Sequence, residues 1–445
     1  MLTQRKITCF FLSSLILLSP IIAYDGSLLQ LSYSQPQQSQ QENNTNTFTI
    51  DNISDNVRDS VYPQTESSGN NVYVVWQDNM FGLNRQNYDI LLKTSTDGGQ
   101  TFGDVINLSN NSGFSEHPQI AVNGSNVYII WADNTSLNRD IYFVSSTDGG
   151  QTFGDVVNLS NNAADSYNHE ISVSGSNVYV TWLDSQKYVK DDGHISFVSS
   201  KDGGQTFGDV INLANNAGKS SFPKISSFGD NVYLAWNIDR EDPSIINTGN
   251  TTDGIFFIKS TDNGNSFDKE IRITADQKPG EVQIAAEVNN VYVIWGSPDP
   301  STTTTTSATN NAINNLNRNE SDSTAGDGIY FVKSTDNGNS FTKPSFVKDQ
   351  FQNPLNVEII EHLGDLIIAI QATPRDNTIE GNQDIFLMKS QDGGSSFTKA
   401  INVSNNPGIS ECPSMTIPSS INNLVIVWQD KSTGNNEALS TKILL

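Results

Sequence analysis

The sequence predicts an all-β fold: a seven-bladed β-propeller of four-stranded antiparallel blades, closed by its own N-terminal strand. Three observations predict it. An eight-residue turn motif recurs six times under one spacing rule. An apolar strand of the type Asn-Val-Tyr-x-x-Trp recurs seven times, in full or degenerate form. One strand near the N-terminus has no unit of its own and matches the strand that the last unit lacks. Four short strands repeating at roughly 40–50 residues are the signature of a propeller.

The turn motif reads STDGGQTF at 95–102 and 146–153, SKDGGQTF at 200–207, STDNGNSF at 260–267 and 334–341, and SQDGGSSF at 390–397. Its aspartates are Asp97, Asp148, Asp202, Asp262, Asp336 and Asp392, at intervals of 51, 54, 60, 74 and 56 residues. The chemistry is that of a turn. Asp and Ser oxygens accept hydrogen bonds from nearby backbone N–H groups, and Gly takes positive φ without steric cost. The closing Phe anchors the turn. Six near-identical copies cannot share one catalytic centre, so these aspartates are expected to be structural. The pattern Ser-x-Asp-x-Gly-x-Thr/Ser-Phe resembles the Asp-box, or BNR repeat, of sialidase-like β-propellers.

In chain order, Arg5 and Lys6 precede an apolar run over 7–22 and then Ala23, so residues 1–23 read as a secretory signal. Left uncleaved, the run would act as an N-terminal anchor. Residues 24–46 are rich in Gln, Ser and Asn and read as a flexible linker. The propeller is expected over 47–445. In its second unit, 118–122, 126–133, 140–146 and 155–160 read as strands a, b, c and d, joined by hairpins. The largest insert, 297–328, is Thr- and Asn-rich and falls in the b–c loop of the fifth unit.

Strand b ends at Trp76, Trp131, Trp182, Trp236, Trp295, Gln371 and Trp428, giving seven units against six boxes. Gln371 takes the tryptophan position in this alignment. The last unit has no strand d, and TFTIDNIS (47–54) matches SFTKAINVS (396–404). The N-terminal strand is therefore expected to complete the last blade and remove an open sheet edge. Alternation puts Val72, Val74 and Trp76 on one side of strand b and Tyr73 and Val75 on the other. With both sides packed against neighbouring blades, the tryptophans are expected to be inter-blade core.

Strand direction sorts the loops. The a–b turns and Asp-boxes share one face; the d–a connections and b–c loops share the other. Just before the innermost strands the d–a connections place Tyr62, His117, Asn168, Phe222, Glu281, Asn356 and Cys412, expected to ring the channel mouth. The b–c loops add Arg85, Arg139, Lys187, Lys190, Arg240, Arg318 and Arg375, and Arg58 lies in the first connection. The sialidase resemblance implies an active site on this face. It implies three arginines clamping a carboxylate, a Tyr nucleophile activated by Glu, and an Asp acid/base. The family's Arg-Ile-Pro motif at the first inner strand is absent; in VRDSVYPQ (57–64), Arg58 comes several residues early. No catalytic residue is carried over.

The formal net charge of −24 argues against nucleic acid and anionic membranes as partners. Cys9 and Cys412 are the only cysteines, so a chain without its signal must be stable by packing alone. His117, His169, His194 and His362 lack metal-ligand spacing, and no metal or cofactor is expected. Asp78 with Asp89 and Asp133 with Asp140 flank b–c loops, where they either offer oxygens to Ca²⁺ or cap strand ends. Sequons at Asn107, Asn123, Asn134, Asn158 and Asn402 are candidate glycan sites. Tyr62, Phe222 and His117 offer stacking surfaces, and Asn168, Asn356 and Glu281 offer hydrogen bonds, a mixture suited to a neutral sugar or peptide. The expected function is a secreted or cell-surface, non-catalytic scaffold binding a glycan or a surface protein. No membrane insertion beyond the signal is expected. The alternatives are a glycoside hydrolase of exo-sialidase type with a rearranged site, and a purely structural envelope protein.

Overall fold

Strand b is apolar on both sides, and the fold uses both. Val72, Tyr73, Val74, Val75 and Trp76 are all wholly buried. Val74 and Trp76 join one apolar cluster; Tyr73 and Val75 join the next. Among the described residues there are seven such clusters, each between two adjacent blades. The core is thus a ring of interfaces, and every b-strand tryptophan sits fully inside it. Burying each large apolar side chain stabilises by about 1.5–3 kcal/mol.

The structure, a computed structural model, describes residues 48–80, 87–136, 138–185, 193–214, 219–239, 254–274, 280–297, 328–347, 351–374, 383–419 and 423–445. They form seven four-stranded antiparallel sheets, here blades I to VII. The innermost strands are Ser60–Ser68, Ser115–Asn123, Asp165–Ser174, Lys219–Phe228, Val282–Glu287, Phe351–His362 and Ser410–Thr416. The N-terminal strand Ile50–Asn52 pairs with Glu437–Leu444, Ile50 opposite Thr441 and Asn52 opposite Leu439, and supplies the outer strand of blade VII. Strand d is shorter than expected: in blade II it covers Val157–Asn158, with one more backbone bond from Leu159 to Ile141.

Register corrects one alignment. Leu366 pairs with Ser390 as Val72 pairs with Ser95, so Ile370, not Gln371, occupies the tryptophan position in blade VI. Gln371 is the counterpart of Gln77 and Gln429. The degenerate text of blade VI hid a one-residue offset.

The Asp-boxes form as expected, with one difference in what they anchor. In each, the Ser hydroxyl accepts the N–H of the glycine four residues on at 2.8–3.0 Å. The Asp carboxylate accepts the N–H and hydroxyl of the Thr or Ser four residues on. The hydroxyl bond is the main cause that holds Asp148, Asp202, Asp262, Asp336 and Asp392 at about 2, and Asp97 lower still. The Phe does not anchor the turn to its own sheet. Phe207 of blade III packs edge-on against Phe143 of blade II at 4.9 Å, and Phe267 of blade IV against Phe197 of blade III at 5.0 Å. The box therefore ties each blade to the one before. Gly204 shows why the second box position is Gly: φ is +78°, and a Cβ would lie 2.5 Å from the Phe143 ring.

A second device was not foreseen. Trp76 donates its indole N–H to Asp78 two residues on, at 2.8 Å. The same buried carboxylate accepts from Ser60 at 2.7 Å and Asn56 at 3.0 Å. Trp131–Asp133, Trp182–Asp184 and Trp428–Asp430 repeat this clasp with Ser115, Ser166 and Ser410. It joins strand b to the start of the innermost strand in blades I, II, III and VII. Blades IV and VI carry Ile238 and Ala372 where the aspartate would be, and blade V carries Ser297.

Candidate binding site at the channel mouth

The ring expected at the channel mouth lies within the innermost strands, not just before them. Tyr62, His117, Asn168, Phe222, Asn356 and Cys412 all have positive φ, between +42° and +55°. In blade I the register shifts between Val61 and Gln64, so Tyr62 and Pro63 together oppose Trp76. The same β-bulge recurs at His117, Asn168, Phe222, Asn356 and Cys412. A bulge adds a residue and re-aims its side chain. Six non-glycine residues held left-handed at equivalent places form a repeated strain of the kind found at binding sites. Glu281 differs: it borders the strand of blade V without positive φ.

Three bulges are fixed by the preceding blade. The Tyr62 N–H donates to Gln429 Oε1 at 3.3 Å, His117 N–H to Gln77 at 3.0 Å, and Cys412 N–H to Gln371 at 3.1 Å. These are consecutive ring members, from blades VII, I and II. The Tyr62 and His117 rings lie 4.3 Å apart at a 47° tilt. Two carboxylates absent from the sequence expectation flank them, Glu116 and Glu411. Burial first, then Glu411 and Glu116, push the Tyr62 hydroxyl far above its ordinary value. Burial also pushes both carboxyls up, against the pull of Arg139 on Glu116 and of Lys431 on Glu411. Arg139 is paired to Glu116 at 2.6 Å. Gln429 donates to Glu411 at 3.2 Å, and Lys431 stands 3.8 Å from it.

Two residues beyond each ring position the innermost strand carries a polar residue: Gln64, Gln119, Glu170, Lys224, Gln283, Glu358 and Ser414. Lys224 Nζ lies 2.5 Å from Glu170 and 3.2 Å from Glu281, and Gln283 donates to Glu358 at 2.7 Å. A contact set spanning blades III to VI places these groups in the central channel. Burial opposes the Lys224 charge, but Glu170, Glu281 and Glu358 together outweigh it and raise its pKa. Burial pushes Glu358 up to about 8, despite Lys224. That spacing of two from each ring residue is the signal that could have found this layer.

His169, singled out only for lacking metal spacing, is buried behind the ring. Its Nε2 donates to the His117 carbonyl at 2.6 Å, and burial holds it down at about 4, so it is neutral at pH 7. Arg58 precedes the innermost strand of blade I. It lines a depression with Val57, Asp59, Asn79 and Asn435. Arg85, Lys187, Lys190, Arg240, Arg318 and Arg375 lie outside the described residues. Among the described residues no group of three or more His, Cys, Asp or Glu is arranged to hold a metal. Asp78 and Asp133 accept from the clasp, and their second oxygens from the N–H of Met80 and Thr135. Asp89 and Asp140 accept from Asn107 with Ser109 and from Asn158 with Ser160. Protein donors thus occupy the oxygens that were candidates for Ca²⁺. The same bonds engage the side-chain nitrogens of sequon residues Asn107 and Asn158, and Asn402 binds Asp384 likewise.

No protein family and no curated protein matches the sequence. Solved structures similar in fold include the phage phi92 endosialidase (TM-score 0.48, 9% identity, 89% of this chain and 69% of that one). Others are the Trypanosoma rangeli sialidase (0.47, 9%, 87% and 55%) and the Streptococcus pneumoniae NanB sialidase (0.43, 11%, 87% and 68%). The chain spans about half the length of the trypanosomal enzyme. By its own sheets and turns the chain is a seven-bladed β-propeller with Asp-box turns.

Proposed function

We propose that this chain is a non-catalytic binding scaffold, secreted or held at a cell surface. Its channel mouth, opposite the Asp-boxes, would receive a neutral glycan or an uncharged stretch of a surface protein. The observation that carries this reading is the ring of left-handed bulges. It presents Tyr62, His117 and Phe222 as stacking surfaces beside the amides of Asn168 and Asn356. A few polar groups around an apolar platform orient a neutral ligand. The described cations of the mouth and channel already have carboxylate partners: Arg139 has Glu116, and Lys224 has Glu170 and Glu281. An anionic sugar would have to break those pairs before it could be clamped. A glycan array with the purified chain tests this. Neutral oligosaccharides should bind, and the double variant Tyr62→Ala with Phe222→Ala should weaken the best of them at least tenfold. Unchanged binding in that variant would remove the mouth from consideration.

One observation favours a second reading, a glycoside hydrolase of exo-sialidase type with a rearranged site. Tyr62 stands between two carboxylates, Glu116 and Glu411, as a Tyr nucleophile with a Glu partner would. A hydroxyl with so high a pKa would have to pass its proton to a carboxylate as it attacked. Turnover of a fluorogenic sialoside that vanishes in Tyr62→Phe would establish this reading and end the first.

A further inference from the structure

Four blades turn from strand a to strand b through Gly69, Gly124, Gly175 and Gly229, all with φ near +60°. In blades V and VI the same place is taken by Val288 and Leu363, at φ +52° and +54°. A side chain, above all a β-branched one, is strained there. Burial does not offset the strain: Val288 is 57% exposed and Leu363 86%. In blade IV, Phe228 beside Gly229 is 40% exposed. Three consecutive blades therefore hold large apolar side chains out from the Asp-box face. Blades I to III have Ser68, Asn123 and Ser174 where blade IV has Phe228.

The chain joins the propeller on this same face. Strand Ile50–Asn52 runs antiparallel to Glu437–Leu444, so its first residue lies at the box end of blade VII. Lys442, near that end, donates to Gly99 O of the first Asp-box at 2.9 Å. Upstream, the sequence carries the apolar run 7–22. The roughly 25 residues between that run and Phe48 can span no more than about 90 Å.

We propose that the Asp-box face rests on a lipid surface of uncharged headgroups, with Phe228, Val288 and Leu363 as the contacting tips and the apolar run as the tether. Three tips are too small for a stable protein interface, which needs about 800 Å² on each partner. A tethered face needs little affinity of its own, because the tether sets a high local concentration. The headgroups are uncharged because six ionised box carboxylates stand on this face and repel anionic lipid. The channel mouth then points away from the surface.

Quenching by dibrominated phosphatidylcholine tests this in the full chain bound to vesicles of that lipid. The six native tryptophans are wholly buried, so a tryptophan added at the surface reports by itself. Emission added by Val288→Trp or Leu363→Trp should fall about twofold or more. Emission added by Met80→Trp, on the opposite face and 45% exposed, should not change. Anchored protein with no quenching at 288 and 363, or with equal quenching at 80, overturns the proposal. So does a vesicle-free dimer that shields the same three tips. In a second arm, a Phe228→Trp reporter should lose its quenching when Val288 and Leu363 are both changed to Gly, while the melting temperature rises. Unchanged quenching in that variant overturns the proposal as well.

Discussion

Blades I, II, III and VII and blades IV, V and VI share one backbone plan and are bonded differently. In the first group a buried aspartate gathers the tryptophan indole, a serine and an asparagine at the far end of strand b. In the second group the aspartate is gone. Among the described residues the indole N–H groups of Trp236 and Trp295 have no partner, and blade VI has isoleucine in place of the tryptophan. Polar bonding in that sector has moved inward, to Lys224, Glu281, Gln283 and Glu358 in the channel, joined by Glu170 of blade III. The comparison teaches that the repeat fixes the strands through apolar inter-blade packing. Each sector is then free to spend its polar side chains either on locking strand b or on lining the channel.

The strongest way to break the comparison is to open one clasp. Asp133→Ala leaves Trp131, Ser115 and Asn111 without their buried acceptor and should destabilise by about 3–5 kcal/mol, read as a fall in the denaturant midpoint. Asp133→Asn should cost less. A loss under about 1 kcal/mol would mean the clasp is ornament. Next in size is Lys224→Met, which strands Glu170, Glu281 and Glu358 and should cost about 2–4 kcal/mol at pH 8. The loss should shrink toward pH 5 as Glu358, raised to about 8, protonates, so a pH-independent loss would place the charges elsewhere.

Glu358 offers a finer test. Its folded pKa is raised to about 8, so between about 4.5 and 8 the folded state holds a proton that the unfolded chain has released. Stability should fall as pH rises through that window, and Glu358→Gln should flatten the fall by an amount on the order of 1 kcal/mol. The Asp-boxes have the opposite sign. Their carboxylates are depressed to about 2, so their contribution is full above the usual carboxylate range and lost as pH drops from about 4 to 2. Asp148→Asn should therefore lower the melting temperature at pH 7, and the difference from the unchanged chain should close as pH drops toward 2. The smallest expected effect is that of Ile238→Asp, which offers Trp236 the acceptor that Trp76 has in Asp78 but gives up apolar burial. It should lie within about 1 kcal/mol of neutral, and a large gain would show that blade IV is waiting for a clasp.

The ring order, the blade count and the closing strand were legible because each rests on a pattern that repeats. The b-strand tryptophans and box glycines carry their physics in local text. The clasp was missed because its members are separated in sequence: Asn56, Ser60, Trp76 and Asp78 meet only once two strands have paired. The site was half legible. Tyr62, His117, Asn168, Phe222, Asn356 and Cys412 were found by position, yet nothing in their text announces a bulge, which exists only relative to a partner strand. Glu116, Glu411 and Lys224 were passed over because a single charge beside a strand reads as solvated until neighbouring blades bury it.

The seam in blade VII has a consequence for how the molecule is made. Ile50–Asn52 is synthesised about 390 residues before its partner near Thr441. At about 5–20 residues per second the interval is roughly 20–80 s. Throughout it six blades can assemble in order, each box after the first closing onto the blade already behind it, while the ring stays open at one place. Blade VII finishes only when Ile50–Asn52 meets a strand made about 390 residues later. The newborn protein thus carries an unpaired strand edge throughout that interval, the period in which a second copy's N-terminal strand could take the same seat.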